Sequence, residues 1–162
     1  MKILLTLIIT MTMLNTSLSQ SITSPDKKLN LSISTDSGGK IFYDLKRNDK
    51  VVIKKSSLGI ELANQPHLID GFTISSSDTS TFYEEWNPVW GEVNTIVNHY
   101  KELKINLNQS LSNRNIIITF RLFNDGLGFR YEFPAQENLK YFVVAEEKTE
   151  FALTGNHKAW WM

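Results

Sequence analysis

The sequence contains no cysteine among its 162 residues. This absence excludes disulfides, thiol catalysis, thiolate-held zinc and lipid attachment at an N-terminal cysteine. The chain also lacks an excess of either charge, because 17 Lys and Arg residues balance 17 Asp and Glu residues. A neutral chain has no positive field to attract nucleic acid, so we expect no nucleic-acid partner.

Recognisable catalytic motifs are missing as well. The histidines His67, His99 and His157 are far apart in the chain, so no metal site is expected from them. No Gly-x-Ser-x-Gly elbow or phosphate-binding glycine loop occurs. Glycoside hydrolysis needs two carboxyl groups about 5–5.5 Å or about 6.5–9.5 Å apart, which sequence spacing does not reveal. We therefore assign no catalytic residue among the acidic candidates, which are Glu84, Glu85, Glu92, Asp125 and Glu132.

The first residues have the pattern of an export signal. Lys2 precedes a mostly apolar stretch over residues 3–14, and the small residues Ser17 and Ser19 follow it. The apolar run is shorter than the roughly 20 residues that span a bilayer, which favours a removed signal over a membrane anchor. We predict a signal peptide over residues 1–19, no membrane anchor, and an exported mature protein, either periplasmic or secreted.

Period-two alternation runs through most of the remaining chain. Leu29, Leu31 and Ile33 alternate with polar residues, which is typical of a strand with one buried face. Similar patterns predict strands near residues 41–45, 51–53, 58–62, 95–100, 103–107, 116–122, 127–133, 141–145 and 151–153. The polar, Ser/Thr-rich region 65–85 is interpreted as a loop with at most short strands. The sequence thus predicts one all-β domain over residues 20–162, an antiparallel β-sandwich.

The segment 86–92 is the least generic part of the sequence. Trp86 and Trp90 flank a proline, and Gly91 and Glu92 follow. Exposed indole rings beside a carboxylate would form a platform for a sugar, whose C–H faces pack on aromatic rings. Alternatively, the two rings belong to the core, with the proline and glycine shaping a bend.

A second candidate lies in segment 123–131. Asn124-Asp125-Gly126 suits a tight turn, and Gly128 in the following strand indicates a bulge or a close backbone approach. Asp125 and Arg130 could bond a ligand, or they could pair with each other or with nearby loops.

The sequence ends on Trp160-Trp161-Met162, with no polar tail to cover two large rings. We therefore add Trp160 and Trp161 to the candidates for carbohydrate or domain-interface contact. We also expect that the sequence is an N-terminal fragment of a longer protein, since a sandwich that stops in mid-strand leaves an open edge.

Several segments, in order, resemble one known family. They are residues 24–26, 51–54, 58–59, 86–92, 98–103, 120–134 and 155–161, and the run Phe-Arg-Leu-Phe-Asn-Asp-Gly that begins at Phe120 is the most specific. Together they cover nearly all of the mature chain. On these residues the chain resembles the N-terminal domain of glycoside hydrolase family 97.

The resemblance implies a fold, an activity and a place in a larger protein. Family members are exported, typically periplasmic enzymes with an N-terminal β-super-sandwich, a central (β/α)8 barrel and a C-terminal β domain. They include calcium-dependent inverting α-glucosidases and retaining α-galactosidases. Their catalytic carboxylates lie in the barrel, and the calcium ligand from the N-terminal domain follows the Ala-Trp-Trp motif. None of these residues maps onto this sequence, so we expect no cofactor in this chain and calcium in a full-length parent.

The resulting hypothesis is an incomplete super-sandwich from an exported α-glycosidase. It would pack on the catalytic barrel, help to shape the site for an α-linked oligosaccharide, and be inactive alone without the barrel and C-terminal domain. The alternative is a free-standing sandwich that binds carbohydrate or another surface.

Overall fold

A computed structural model describes residues 19–158, and within this range the chain is almost entirely antiparallel β structure. Its ten strands are β1 (Ser19–Thr23), β2 (Leu29–Thr35), β3 (Ile41–Arg47), β4 (Lys50–Leu58), β5 (Ile60–Leu62), β6 (Phe72–Trp86), β7 (Ile96–Gln109), β8 (Arg114–Leu122), β9 (Leu127–Glu132) and β10 (Val144–Glu147). A short 3-10 helix covers Glu137–Leu139. No helix between residues 19 and 158 has the length and apolarity to cross a membrane.

The strands form two four-stranded sheets and one strand pair. The first sheet has the order β1-β2-β3-β4, and the second has the order β6-β7-β8-β9. Strand β5 pairs with β10. The predicted all-β antiparallel sandwich is confirmed. The predicted signal peptide, except for Ser19, lies outside the described residues.

The core lies between the two large sheets. Leu29, Leu31 and Ile33 of β2 are buried, as the alternation predicted. From the second sheet, Ile118 and Phe120 of β8 join the same apolar cluster. Burying one such side chain stabilises the fold by about 1.5–3 kcal/mol.

Residues with positive φ shape two of the tight connections. Asn48 and Asp49, with φ of 47° and 63°, turn β3 into β4. Gly39 has φ of 73°, and a Cβ there would lie 2.4 Å from the backbone nitrogen of Phe72. Only glycine fits where this turn approaches the start of β6.

The segment after β10 covers the edge of β4. The backbone N–H of Lys54 donates to the carbonyl of Ala152 at 2.8 Å, and that of Glu150 donates to Ser57 at 2.9 Å. The hydroxyl of Tyr43 donates to the Glu150 carbonyl at 2.8 Å. Burial raises the pKa of Tyr43 to about 12. The predicted strand over residues 151–153 makes only an isolated bridge to β4.

The prediction of a loop with at most short strands over residues 65–85 is wrong from Phe72 onward. Strand β6 has 15 residues and pairs with β7 from Phe72 to Trp86. The two strands predicted over residues 95–107 are likewise one strand, β7, of 14 residues. Strand β6 has no apolar alternation because it lies at a sheet edge, and most of its side chains face solvent. Backbone pairing with β7 therefore stabilises this segment as a strand, although its composition does not predict one.

A buried polar network closes the end of the sandwich at the β7–β8 turn. Arg114 is only 2% exposed, and its Nε donates to the Gln109 side-chain oxygen at 3.0 Å. Gln109 in turn donates to the carbonyls of His67 and Asp70, at 3.0 and 2.8 Å. Burial lowers the pKa of Arg114. These mutual contacts indicate a structural role for the network.

Candidate functional site

A two-stranded arm extends beyond the sandwich. Strand β8 stops pairing with β7 at Leu122, opposite Lys101. Strands β6 and β7 continue to pair with each other as far as Trp86 and Ile96. Residues 82–100, comprising these two strand ends and the loop between them, are called the arm below.

The arm carries large apolar side chains in solvent. They are Phe82, Tyr83, Trp86, Val89, Trp90, Val93 and Val97. Trp90 is 88% exposed and Val89 is 100% exposed. Since side chains alternate along a strand, Phe82 and Trp86 lie on one face of the arm and Tyr83 lies on the other. Exposed apolar surface of this kind is typical of a contact surface.

The tip of the arm holds three of the residues predicted from sequence. Trp86, Trp90 and Glu92 are all exposed, so the alternative that the two indole rings belong to the core of the described domain is wrong. Gly91 has φ of 143°, a value that favours glycine. The loop is tied across its base by Thr95, whose hydroxyl lies 3.0 Å from the Asn87 side-chain oxygen.

An aromatic and ionic cluster lies where the arm meets the sandwich. The ring of Tyr100 stacks on Phe82 at 5.1 Å and lies 5.2 Å from Phe123. The guanidinium of Arg121 lies over the Tyr100 ring at 4.6 Å, and its Nε donates to Glu102 at 2.8 Å. The hydrogen bond to Glu102 raises the pKa of Arg121. This cluster fixes the base of the arm against β8.

A shallow hollow of about 180 Å³ adjoins this cluster on the outer face of β8 and β9. Arg121 pairs across the strands with Gly128, and Thr119 pairs with Arg130. The Nε of Arg130 donates to Glu132 at 3.1 Å, and the Thr119 hydroxyl donates to the same oxygen at 2.6 Å. The hydrogen bond from Thr119, followed by that from Arg130, lowers the pKa of Glu132.

Asp125 and Arg130, the second pair of candidates from the sequence, lie in two different parts of the structure. Arg130 lies at the hollow and pairs with Glu132, not with Asp125. Asp125 lies in the β8–β9 turn, next to Asn124, whose side-chain oxygen accepts from the backbone N–H of Asp26 at 2.9 Å. This bond ties the turn to the loop between β1 and β2.

The structure does not bring the candidates into one site. Trp86 is four residues beyond Phe82 along β6, roughly 13 Å from the base of the arm. The tip of the arm and the hollow are therefore separate parts of one side of the domain. The candidates Trp160 and Trp161 lie outside the described residues.

Sequence reasoning missed Phe82, Tyr83, Tyr100 and Arg121. The first two lie in the segment that the sequence analysis interprets as a loop. Pairing of β6 with β7 was the information needed, because it places Phe82 opposite Tyr100. Tyr100 and Glu102 are two residues apart on β7, so side-chain alternation would then have assigned both to the same, outer face.

Glu85, His67 and His99 each contact a neighbouring group within the domain. The Tyr83 hydroxyl donates to Glu85, which raises the pKa of Tyr83. His67 accepts from the backbone of Leu62 at 3.3 Å, and His99 packs edge-on against Tyr83. No group of three His, Asp or Glu side chains within residues 19–158 could hold a metal ion. The described residues therefore do not fit a calcium site.

Comparison with a family profile establishes which protein family the chain belongs to. The profile described as Glycosyl-hydrolase 97 N-terminal matches residues 22–162. The chain belongs to this family. The suspected resemblance to the N-terminal domain of glycoside hydrolase family 97 is thus confirmed.

Solved structures agree with the family assignment. The chain is similar to a glycoside hydrolase family 97 enzyme from Pseudoalteromonas sp. strain K8, solved in complex with panose and with acarbose, at 28% identity and a TM-score of 0.77. A β-arabinopyranosidase has the same fold, at 22% identity and a TM-score of 0.74. Each alignment covers 83% of this chain, but only 20% of the Pseudoalteromonas enzyme and 21% of the arabinopyranosidase.

Proposed function

We propose that this chain is the N-terminal domain of an exported α-glycosidase, an α-glucosidase or an α-galactosidase, and that it packs on a catalytic (β/α)8 barrel. The observation that carries the proposal is the arm, which exposes large apolar side chains on a domain of the glycoside hydrolase 97 family. The solved relatives are about five times longer than the aligned region. The four fifths of such an enzyme that lies outside the aligned region can therefore supply the partner of this surface.

The arm contributes contact and shape in this proposal. Trp86 and Trp90 supply rigid rings with large areas to bury, and Glu92 beside them supplies a carboxylate at the rim. Because apolar groups occupy both faces of the arm, it fits a cleft better than a flat surface. Burial of the arm between other elements would fix the position of Glu92 relative to a bound sugar.

The chemistry of hydrolysis belongs to the rest of the enzyme. The catalytic carboxylates and the calcium ion are proposed to lie there. The complexes of the Pseudoalteromonas enzyme with panose and acarbose support an oligosaccharide substrate for the parent. Export to the periplasm or beyond is proposed from the signal pattern of residues 1–19.

Hydrolysis measured with and without the remaining polypeptide tests this function. The chain alone should release no product from aryl α-glucosides or α-galactosides. When it replaces the matching segment of a family 97 enzyme, it should support hydrolysis of one of them, and arm substitution Trp90→Ser should reduce kcat/KM.

Two results would contradict the proposal. Hydrolysis by the chain alone would place catalysis within the described domain. Saturable binding of panose by the chain alone, with no contribution to a hybrid enzyme, would favour a free-standing carbohydrate-binding module.

A further inference from the structure

Neither the backbone conformation nor the packing of the described domain requires glycine at position 128. Strands β8 and β9 pair in regular register from Leu122–Leu127 to Ile117–Glu132, so the bulge expected at Gly128 is absent. Its φ is not among the positive values of the described residues. A Cβ added there would meet no atom within 4 Å. Glycine weakens a strand interior, and it often marks a place where another group approaches closely.

The hollow over Gly128 has the chemistry to accept a flat apolar group. Arg121 lies opposite the glycine on β8, Arg130 lies two positions along β9, and Phe123 contributes an aromatic wall. The Nε atoms of both arginines are already bonded, to Glu102 and Glu132. The Arg121 guanidinium already lies over Tyr100, so the Arg130 guanidinium plane and the apolar stems of both side chains remain as walls. Aromatic rings stack on such planes.

The volume agrees with a single ring. The hollow measures about 180 Å³, and an engineered protein cavity of about 150 Å³ binds benzene. An aromatic ring suits the hollow better than a sugar ring, because the exposed lining is mostly apolar and the Thr119 hydroxyl and both Nε atoms already bond within the domain. Unpaired polar groups at an interface reduce affinity.

We propose that the hollow over Gly128 receives an aromatic side chain from the remainder of the glycoside hydrolase polypeptide. This inference rests on the proposed function, which supplies the partner. The hollow shares Phe123 with the aromatic cluster at the base of the arm, so it is continuous with the proposed contact surface. Glycine at position 128 leaves the space that any side chain would fill.

A ligand titration followed by NMR tests the chemistry of the hollow in the isotope-labelled chain, with indole as the probe and panose as the comparator. Indole should shift the backbone signal of Gly128 and the Nε signals of Arg121 and Arg130 in a saturable way. Gly128→Val should abolish these shifts while raising Tm slightly, because valine favours a strand. Gly126→Val is the matched control, since a Cβ at Gly126 also meets no atom within 4 Å, and it should keep the shifts.

Association with the remainder of a family 97 enzyme tests the identity of the occupant. Gly128→Val should weaken association, and Gly126→Val should not. If the unaltered chain fails to associate, the proposed function is overturned and this inference with it. If the unaltered chain and Gly128→Val associate equally, only the inference is overturned. Indole shifts that persist in Gly128→Val, no indole shifts at all, or shifts with panose alone would also overturn it.

Discussion

In the body of the sandwich, Leu31 and Phe120 are fully buried, whereas in the arm Trp90 and Val89 are almost wholly in solvent. The second sheet contributes to both regions, because its strands β6 and β7 run through the body and on into the arm. The difference arises because the first sheet covers the body and no described element covers the arm. Large side chains in the body therefore stabilise the fold, while those in the arm are available for contact.

The polar groups show the same difference. No buried side-chain nitrogen or oxygen in the described range lacks a hydrogen-bond partner. In the body, several partners come from distant parts of the chain, as when Gln109 donates to the carbonyls of His67 and Asp70. In the arm, the side-chain bonds are local, such as Tyr83 to Glu85. Local bonds add little to the cohesion of the domain, so the arm depends on its strand pairing and on its base.

Among substitutions that test the difference between body and arm, one at Phe120 should have the largest effect on stability. This residue is fully buried, and its ring lies 5.6 Å from that of Phe129. Phe120→Ala should lower the free energy of unfolding by about 3–5 kcal/mol, because it removes apolar contacts and leaves a cavity. Urea denaturation measures the change. Trp90→Ala in the arm is the control and should change stability by no more than about 0.5 kcal/mol, and an equal loss in both variants would remove the distinction between body and arm.

A pair of neighbouring glycines tests the packing where the two sheets approach each other. A Cβ at Gly39 would lie 2.4 Å from a backbone atom of Phe72, and the residue has positive φ. Gly39→Ala should therefore cost at least about 2 kcal/mol. At Gly38 the nearest atom to an added Cβ is a flexible Asp36 oxygen at 3.4 Å, so Gly38→Ala should be nearly neutral. Thermal unfolding of both variants checks the contrast, and similar Tm values would contradict this packing.

The smallest predicted effect concerns pH and the outer face of the second sheet. The hydrogen bonds from Thr119 and Arg130 lower the pKa of Glu132 below its ordinary value of 4.5. A lowered folded-state pKa contributes stability above that ordinary value, and the contribution is lost as pH falls through the folded-state value. Glu132→Gln should therefore reduce the acid sensitivity of the urea midpoint below about pH 4.5.

Glu137→Gln is the matched control for this pH dependence. Glu137 forms an exposed pair with Lys140 and should leave the acid profile unchanged. Identical profiles for the unaltered chain and Glu132→Gln would show that the hydrogen bonds to Glu132 contribute nothing to stability.

Much of the body could be predicted from the sequence, because burial on one face imposes a period of two. Leu29, Leu31 and Ile33 correctly predicted a strand for this reason. Strand β6 was missed because an edge strand with exposed faces carries no such period. Its existence depends on pairing with β7, which is a non-local contact.

The candidate site was predicted only in part, since exposure is also a non-local property. Trp86 and Trp90 could be selected as unusual residues, but an aromatic residue in a core and one in solvent look alike in sequence. Arg130 was selected with Asp125 because they are neighbours in the chain, while its true partner, Glu132, lies two positions along the same strand. Gly128 was interpreted as a bulge or a close backbone approach, and the regular register of β8 and β9 excludes the bulge.

The central claim is that the arm serves contact and the body serves folding. The most direct measurement uses the double variant Trp86→Ser/Trp90→Ser and records both its unfolding free energy and its affinity for the remainder of a family 97 enzyme. We predict that unfolding changes by no more than about 0.5 kcal/mol, while affinity falls at least about 100-fold, since buried aromatic anchors dominate such interfaces. Unchanged affinity, or a loss of stability as large as that of Phe120→Ala, would contradict the account.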